Sequence, residues 1–223
     1  MARNWLTTSP SAIVGAVAIV LAITPAAAQA PLPFTEILSR ASDSALSKLG
    51  QPRAFYADEA VRIALPGPLA RANGILKLTD QAGLTTGITK SLNNAAGQAA
   101  GAAKPIFRAA ISKMTVNDVP GLLTKSDGAT NYLRQSAGTE LRAKLRPLIV
   151  GALGKTGAFA QMDKLGKAGN LGGLLGSVGV NRDTLSDSVT DQAMNGIFKY
   201  MGNEEAKLRA NPLDLGKKLL GVQ

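Results

Sequence analysis

One long apolar stripe limits the folds that are open to this chain. Between Leu84 and Met114, apolar residues recur at steps of three or four, so one face of a helix stays apolar for about eight turns. The middle of this face is mostly alanine, and small side chains let a neighbouring helix approach to about 8 Å. We therefore predict that residues 84–114 lie at the centre of an all-α domain with other helices packed closely around them.

Pro105 falls inside this stripe. A proline within a helix removes one backbone donor and crowds the carbonyl group four residues earlier. Because the apolar pattern resumes in phase after Pro105, we predict a kink or a tight junction between two helices at this point.

The rest of the chain predicts a single-domain, irregular bundle of about eight or nine helices. One amphipathic pattern runs from Ile37 to Leu49, before Gly50 and Pro52. Asp127 is a candidate cap for a short helix, and Thr139 for a separate, longer one.

Near the C-terminus, Asp183 or Ser186 is predicted to begin another helix. We expect Glu204 and Glu205 to lie on its solvated continuation, with Glu205 paired to Arg209 one turn later. The period-two pattern of Val61–Pro66 predicts one short extended segment packed on the helices.

Residues 1–28 have the pattern of a signal peptide. Arg3 provides a basic start, Ala12–Ile23 is an apolar core too short to span a bilayer, and Pro25 precedes small residues. We predict cleavage after Ala28, an uncleaved anchor being the alternative. Residues 29–223 are then one helical domain, and the expected location is the periplasm of a Gram-negative bacterium.

Glycine is frequent from about residue 151 to residue 180. Each interior glycine costs a helix about 1 kcal/mol relative to alanine, so we predict short helices, loops and the highest mobility in this segment. Gly154-Lys155-Thr156 ends like a phosphate-binding loop, but Ile149 stands where the first glycine would fall and no buried strand precedes it. We interpret it as a helix exit.

The composition removes several kinds of chemistry. The chain has no histidine and no cysteine, so it lacks the usual general base near neutral pH, thiol nucleophiles and zinc–thiolate sites. Asp187 and Asp191 lie one helical turn apart and could bind a hard cation or act as an acid/base pair, or could simply lie on a solvated face, which we favour. We predict no metal or cofactor and lean against an enzyme.

Five segments, in order, resemble an uncharacterised family of exported proteobacterial proteins, domain of unknown function family 4197. These segments are Arg62–Pro66, Leu92–Ala96, Met114–Asp118, Ala129–Tyr132 and Glu204–Pro212. The resemblance extends from about Thr35 to Leu220. It implies an all-helical periplasmic or envelope protein, and it carries over no catalytic residue.

The formal net charge of +10 gives the main functional indication. We predict that basic side chains on either side of Pro105 and in the following helices form an anion-binding surface for anionic lipid, lipopolysaccharide or an acidic protein. These candidates are Lys104, Arg108, Lys113, Arg134, Arg142, Lys144 and Arg146.

Three alternatives to this surface remain open. The basic residues could form a scattered solubilising coat. The alanine-rich helices could enclose a cavity for an apolar ligand. The least favoured alternative is a hydrolase that works with carboxylates or a Ser–Lys pair. Nucleic acid is not expected as a partner, because only 4% of the residues are aromatic and could stack on bases.

Overall fold

The computed structural model describes residues 34–67, 69–70, 82–114, 125–167 and 179–210. Its helices there are α1 (Phe34–Leu49), α2 (Ala54–Ala57), α3 (Ala82–Ala102), α4 (Lys104–Ser112), α5 (Gly128–Lys155), α6 (Ala158–Lys167) and α7 (Arg182–Ala210). These ranges contain no strand. The all-α class is confirmed, with seven described helices where eight or nine were predicted. The predicted signal peptide, residues 1–28, and residues 168–178 of the glycine-rich segment lie outside the described ranges.

The predicted central element consists of α3 and α4, and the junction lies at Ala103. Pro105 occupies the first turn of α4, where its missing N–H would have no partner within the helix anyway. Helix α3 packs against every other helix of the described ranges. Its alanine face is covered by them, since Ala95 and Ala96 have no exposed surface and Ala100 is 1% exposed. The chain is therefore built around this helix, as its small residues predict.

Helix α1 ends in direct backbone contact with α3. A Cβ atom added to Gly50 would lie 3.0 Å from the Cα of Gly101, and one added to Gly97 would lie 3.3 Å from the carbonyl oxygen of Leu49. The glycine at position 50 is thus required by the closeness of the two backbones. This contact fixes the position from which the chain leaves α1 and enters α2.

The predicted extended segment is confirmed, and its backbone is paired with two side chains. The Asn93 amide on α3 accepts a 2.8 Å hydrogen bond from the Ile63 N–H and donates a 2.9 Å bond to the Ile63 carbonyl. The Gln192 amide on α7 bonds in the same way to the N–H and carbonyl of Ala64, at 2.8 and 3.1 Å. Two carboxamides therefore replace the neighbouring strands that such a segment would need in a sheet.

The prediction of two helices within residues 128–155 is wrong, because α5 is continuous. Leu133, Leu141 and Leu145 are fully buried and stay in phase across Thr139, so packing holds together a segment that capping signals would divide. The helix also passes through Gly151, where a Cβ atom would meet nothing within 4 Å. Residues 151–155 thus end a long helix, and α6 is the short helix in the described part of the predicted glycine-rich segment.

The start of α7 also differs from the prediction, because the cap is Asn181. Its Oδ1 atom accepts a hydrogen bond from the Thr184 N–H, while the Thr184 hydroxyl accepts one from the Asn181 N–H. This reciprocal pair satisfies two backbone donors at the helix start. At the other end of α7, Glu204 is 9% exposed and Glu205 is 0% exposed, so the predicted solvated continuation is wrong.

Candidate functional site

Most of the candidate basic residues contact carboxylates. Arg108 on α4 forms a bidentate pair with Asp43 on α1, with a shortest distance of 2.5 Å. Lys113 and Lys144 both approach Glu140, at 3.5 and 2.7 Å. Arg108 and Lys113 thus connect neighbouring helices, Lys144 pairs within α5, and all three already have a carboxylate partner.

Arg142 and Arg146 on α5 connect to acidic residues on α7. Arg142 bonds to Asp187 and Asp191, and Arg146 bonds to Asp187 and Asp183. The hydrogen bond from Arg146 is the main cause that lowers the pKa of Asp187. Asp187 and Asp191, which the sequence offered as a cation-binding or acid/base pair, are therefore bonded to arginines across the α5–α7 interface. This arrangement favours a structural role for them.

Arg134 and Arg142 both line an open groove of about 370 Å³ between α5 and α7. The Arg134 guanidinium lies 5.3 Å from the ring centroid of Phe198 and also donates a hydrogen bond to Asn195. Asp191 lines the same groove and is paired with Arg142. An anion that enters this groove would meet a carboxylate as well as cations.

A second cavity has basic residues but no acidic residue among its described lining residues. It lies between α2 and α3, has a volume of about 280 Å³ and is lined by Arg53, Tyr56, Lys90 and Asn94. We call it the Arg53–Lys90 pocket. Within the described ranges, Arg53 and Lys90 form no ion pair, and no acidic side chain lines the cavity. Two exposed basic side chains, neither of them in an ion pair with a described residue, therefore border one small open cavity.

The backbone around Arg53 is shaped by the contact between α1 and α3. After Gly50 the chain makes a tight turn, in which the Ala54 N–H donates to the Gln51 carbonyl at 3.1 Å. Arg53 then adopts a left-handed conformation, with φ 65°, immediately before α2. A left-handed conformation is unfavourable for a residue other than glycine, asparagine or aspartate, and such residues are concentrated at functional sites.

The opposite wall of the pocket comes from the exposed face of α3. Lys90 and Asn94 are one helical turn apart and therefore point in the same direction, away from the alanine face. Tyr56 contributes its ring from α2, and the guanidinium of Arg62 lies 5.3 Å from the centroid of that ring. The pocket thus combines donors, positive charge and one aromatic surface.

Neither Arg53 nor Lys90 was among the basic residues proposed from the sequence. Lys90 and Asn94 were detectable as a polar pair at helical spacing opposite the alanine stripe. Arg53 gave no such signal, because its left-handed backbone depends on the packing of α1 against α3. The remaining candidate, Lys104, forms no ion pair with any described residue and does not line either cavity.

A buried carboxylate, that of Glu204, lies elsewhere, between α1 and the end of α7. Glu204 accepts hydrogen bonds from Ser44 and Lys48, both at 2.6 Å, and from Lys207 at 3.0 Å. Burial by itself raises the pKa of Glu204, but the bonds from Lys48, Ser44 and Lys207 together outweigh burial and lower the pKa to about 2. A carboxylate with this pKa is a poor general base near neutral pH.

Two features of the described residues bear on other classes of protein. No group of three or more acidic side chains in these ranges is arranged to hold a metal ion. Among the described helices, none combines the length and the apolar character needed to cross a bilayer.

The described residues define an all-α protein with an alanine-lined central helix and a small cavity bordered by two basic side chains. The chain belongs to the family described as "Protein of unknown function (DUF4197)", whose model matches residues 26–222. This match confirms the resemblance carried by the five segments. No curated protein and no solved structure matched the chain significantly.

Proposed function

We propose that this protein is a non-enzymatic binding protein of the periplasm or cell envelope that recognises the phosphates of anionic lipid or lipopolysaccharide. Its contact point is the Arg53–Lys90 pocket. The observation that carries the proposal is that both cations line one cavity without a carboxylate partner in the described ranges.

The difference between paired and unpaired cations supports this choice of surface. A cation that already bonds to a carboxylate must give up or share that partner before an incoming anion gains full attraction. Arg108 and Lys144 are in this position, with partners at 2.5 and 2.7 Å. Arg53 and Lys90 would exchange only water for the ligand, so an anion gains most at this pocket.

The proposed location depends on the N-terminal sequence. Arg3, the apolar core Ala12–Ile23 and the small residues around Ala28 follow the order of a secretory signal. In that compartment, phospholipid headgroups and lipopolysaccharide phosphates are abundant anions. N-terminal sequencing of the protein from a periplasmic extract should begin at Gln29; an intact Met1 in the cytosolic fraction would contradict export.

Vesicle sedimentation tests the binding function. Vesicles of phosphatidylcholine alone should be compared with vesicles that also contain phosphatidylglycerol or phosphatidic acid, at low and high salt. We expect binding only to the anionic vesicles, with loss at high salt because exposed charges are screened over about 10 Å at 0.1 M ionic strength. Absence of binding to both kinds of anionic vesicle at low salt would overturn the proposal, and capture of an acidic protein without any lipid binding would favour the alternative partner class.

A matched pair of double variants ties the binding to the pocket. Arg53→Asn with Lys90→Gln removes both pocket cations, and asparagine accepts the left-handed conformation at position 53. Arg108→Gln with Lys144→Gln removes the same charge from sites that are already neutralised. We expect the first pair to weaken binding at least tenfold and the second to change it little. Equal losses would indicate a diffuse charge effect and contradict the pocket assignment.

A further inference from the structure

The Arg53–Lys90 pocket offers many more hydrogen-bond donors than acceptors. A guanidinium group has five N–H donors, an ammonium group three and a carboxamide two. No described residue bonds to the side chain of Arg53, Lys90 or Asn94. All three side chains line the same 280 Å³. The pocket therefore suits a ligand that is rich in acceptors and carries more than one negative charge.

We infer that the pocket binds the dianion of a phosphate monoester; this inference rests on the proposed function and specifies its ligand. The dianion carries about two negative charges and three terminal oxygens, which matches two cations and several donors. The planar fork of Arg53 can contact two oxygens, and the compact ammonium of Lys90 can contact another. A phosphodiester or a carboxylate has one charge and two terminal oxygens, so it leaves one cation without a partner.

The pocket volume not filled by the phosphate, together with the Tyr56 ring, limits the group that is esterified to the phosphate. A volume of about 280 Å³ exceeds that of a bare phosphate ion. The Tyr56 ring forms one side of this space, and Arg62 stacks on that ring at 5.3 Å. A short polar body such as a glycerol or a sugar unit would lie against this ring, with its ester oxygen directed away from the two cations.

The left-handed backbone at Arg53 defines where its side chain leaves the chain before any ligand binds. The Ala57 N–H donates to the Arg53 carbonyl at 2.9 Å, so the residue is part of the first turn of α2. Gly50 keeps the preceding turn against α3. The backbone that carries this cation therefore needs no ordering when a ligand binds, and such pre-organisation increases affinity.

The ionisation of the ligand supplies the main test. The second pKa of a phosphate monoester is about 6, so lowering the pH from about 7.5 to about 5 reduces the dianion about tenfold. The pocket is lined by Arg53 and Lys90, and Arg62 with its partner Glu59 lies behind Tyr56; the chain has no histidine that would titrate in this range. Any change in affinity over this interval should therefore come from the ligand.

The experiment is a titration of isotope-labelled full-length protein, followed by NMR shifts of the amides around the pocket. We expect glycerol 3-phosphate to bind about tenfold more weakly at about pH 5 than at about pH 7.5. Sulfate, a dianion at both pH values, should bind equally at both. Dimethyl phosphate should bind at least tenfold more weakly than glycerol 3-phosphate, and Arg53→Asn with Lys90→Gln should abolish the shifts.

Vesicles containing either phosphatidic acid or phosphatidylglycerol distinguish the source of the phosphate. Selective binding to phosphatidic acid vesicles without binding to glycerol 3-phosphate would support a membrane-borne monoester, and binding to glycerol 3-phosphate would support a soluble one. Equal binding of phosphatidylglycerol and phosphatidic acid, lost in the Arg53/Lys90 double variant, would overturn the monoester while leaving the proposed function intact. Failure to bind any anion would overturn both.

Discussion

The Oε2 atom of Glu205, near the end of α7, accepts a 2.7 Å hydrogen bond from the backbone N–H of Thr130 in the first turn of α5. The other oxygen accepts a 3.0 Å bond from the Ala129 N–H and pairs with Arg209 at 2.8 Å. The side chain of Asp127, at the N-cap of α5, makes no capping bond. The first turn of α5 is therefore capped by a fully buried carboxylate from another helix.

Replacing Glu205 with alanine should destabilise the fold strongly. Two buried N–H groups would lose their acceptor and the Arg209 guanidinium would lose its bond to Glu205; unpaired buried N–H groups of this kind cost about 2–4 kcal/mol in total. Urea unfolding measures the free energy of unfolding. The control is Glu36→Ala, which removes an ion pair with Arg40 whose carboxylate is 43% exposed, and should cost about 0.5 kcal/mol or less. Similar losses in the two variants would contradict the capping role.

The buried Glu204 should make stability dependent on pH under acidic conditions. Its pKa is lowered from 4.5 to about 2 in the folded protein, so the folded state favours the ionised form. The resulting stabilisation is fully present above about pH 4.5 and is lost as the pH falls towards about 2; its size is of the order of 3 kcal/mol.

Urea unfolding at a series of pH values tests this dependence. In Glu204→Gln, the decline in unfolding free energy between about pH 5 and about pH 2 should be shallower than in the unmodified protein. Glu59→Gln serves as the control because the Glu59 side chain is 88% exposed, and its pH profile should follow that of the unmodified protein. An unchanged profile in Glu204→Gln would show that this carboxylate does not contribute.

Gly50 and Gly101 face each other but should respond differently to alanine. A Cβ atom at Gly50 would lie 2.9 Å from the Leu46 carbonyl oxygen and 3.0 Å from the Cα of Gly101, so the backbones must separate. At Gly101 the nearest atom would be the Cα of Gly50 at 3.7 Å, an ordinary contact. We expect Gly50→Ala to cost about 1–3 kcal/mol.

Gly101→Ala should be neutral or stabilising by up to about 1 kcal/mol, because alanine is the better helix former. Thermal unfolding by circular dichroism compares the two variants directly. Equal melting temperatures would show that the two helices can separate at no cost. Because the position of Arg53 depends on the turn that begins after Gly50, Gly50→Ala should also weaken anion binding, whereas Gly101→Ala should not.

Asn93 and Gln192 hold neighbouring residues of the extended segment in the same manner but at different depths. Asn93 is 1% exposed, whereas the bonds made by Gln192 lie at the surface. Asn93→Ala would leave the buried N–H and carbonyl of Ile63 without partners, at a cost of about 2–3 kcal/mol, while water can replace the Gln192 amide. Gln192→Ala should therefore cost about 1 kcal/mol or less.

Hydrogen exchange at individual amides tests this contrast. In Asn93→Ala, the Ile63 amide should exchange much faster than in the unmodified protein, because among the described residues its N–H donates to the Asn93 side chain alone. In Gln192→Ala, the Ile63 amide should keep its protection. Retained protection in Asn93→Ala would mean that the segment is held by packing alone.

Much of the fold could be predicted from local patterns. The alanine stripe identified α3 and its central position, the in-phase pattern beyond Pro105 identified the helix junction, and the period-two run identified the extended segment at residues 61–66. Each of these features depends on residues close together in sequence, whose periodicity directly reflects local backbone geometry.

The errors share one physical cause. Thr139 carries a capping signal, yet α5 continues through it because the leucines on either side pack against α3 and α7. Glu205 carries the composition of a solvated helix end, yet it is fully buried because it meets the unpaired N–H groups that open α5. In both cases, contacts between helices outweighed the structure that the local sequence favours.

The sequence by itself determined the helical class, the central helix and the absence of histidine and cysteine chemistry. Only the tertiary structure decided which cations remain without carboxylates. A sequence gives the number of basic residues. Whether each of them can bind an external anion depends on which acidic groups the packing brings within hydrogen-bond distance. The packing of the helices pairs Arg108 with Asp43, and it pairs Arg142 and Arg146 with aspartates of α7. Arg53 and Lys90 instead line one pocket.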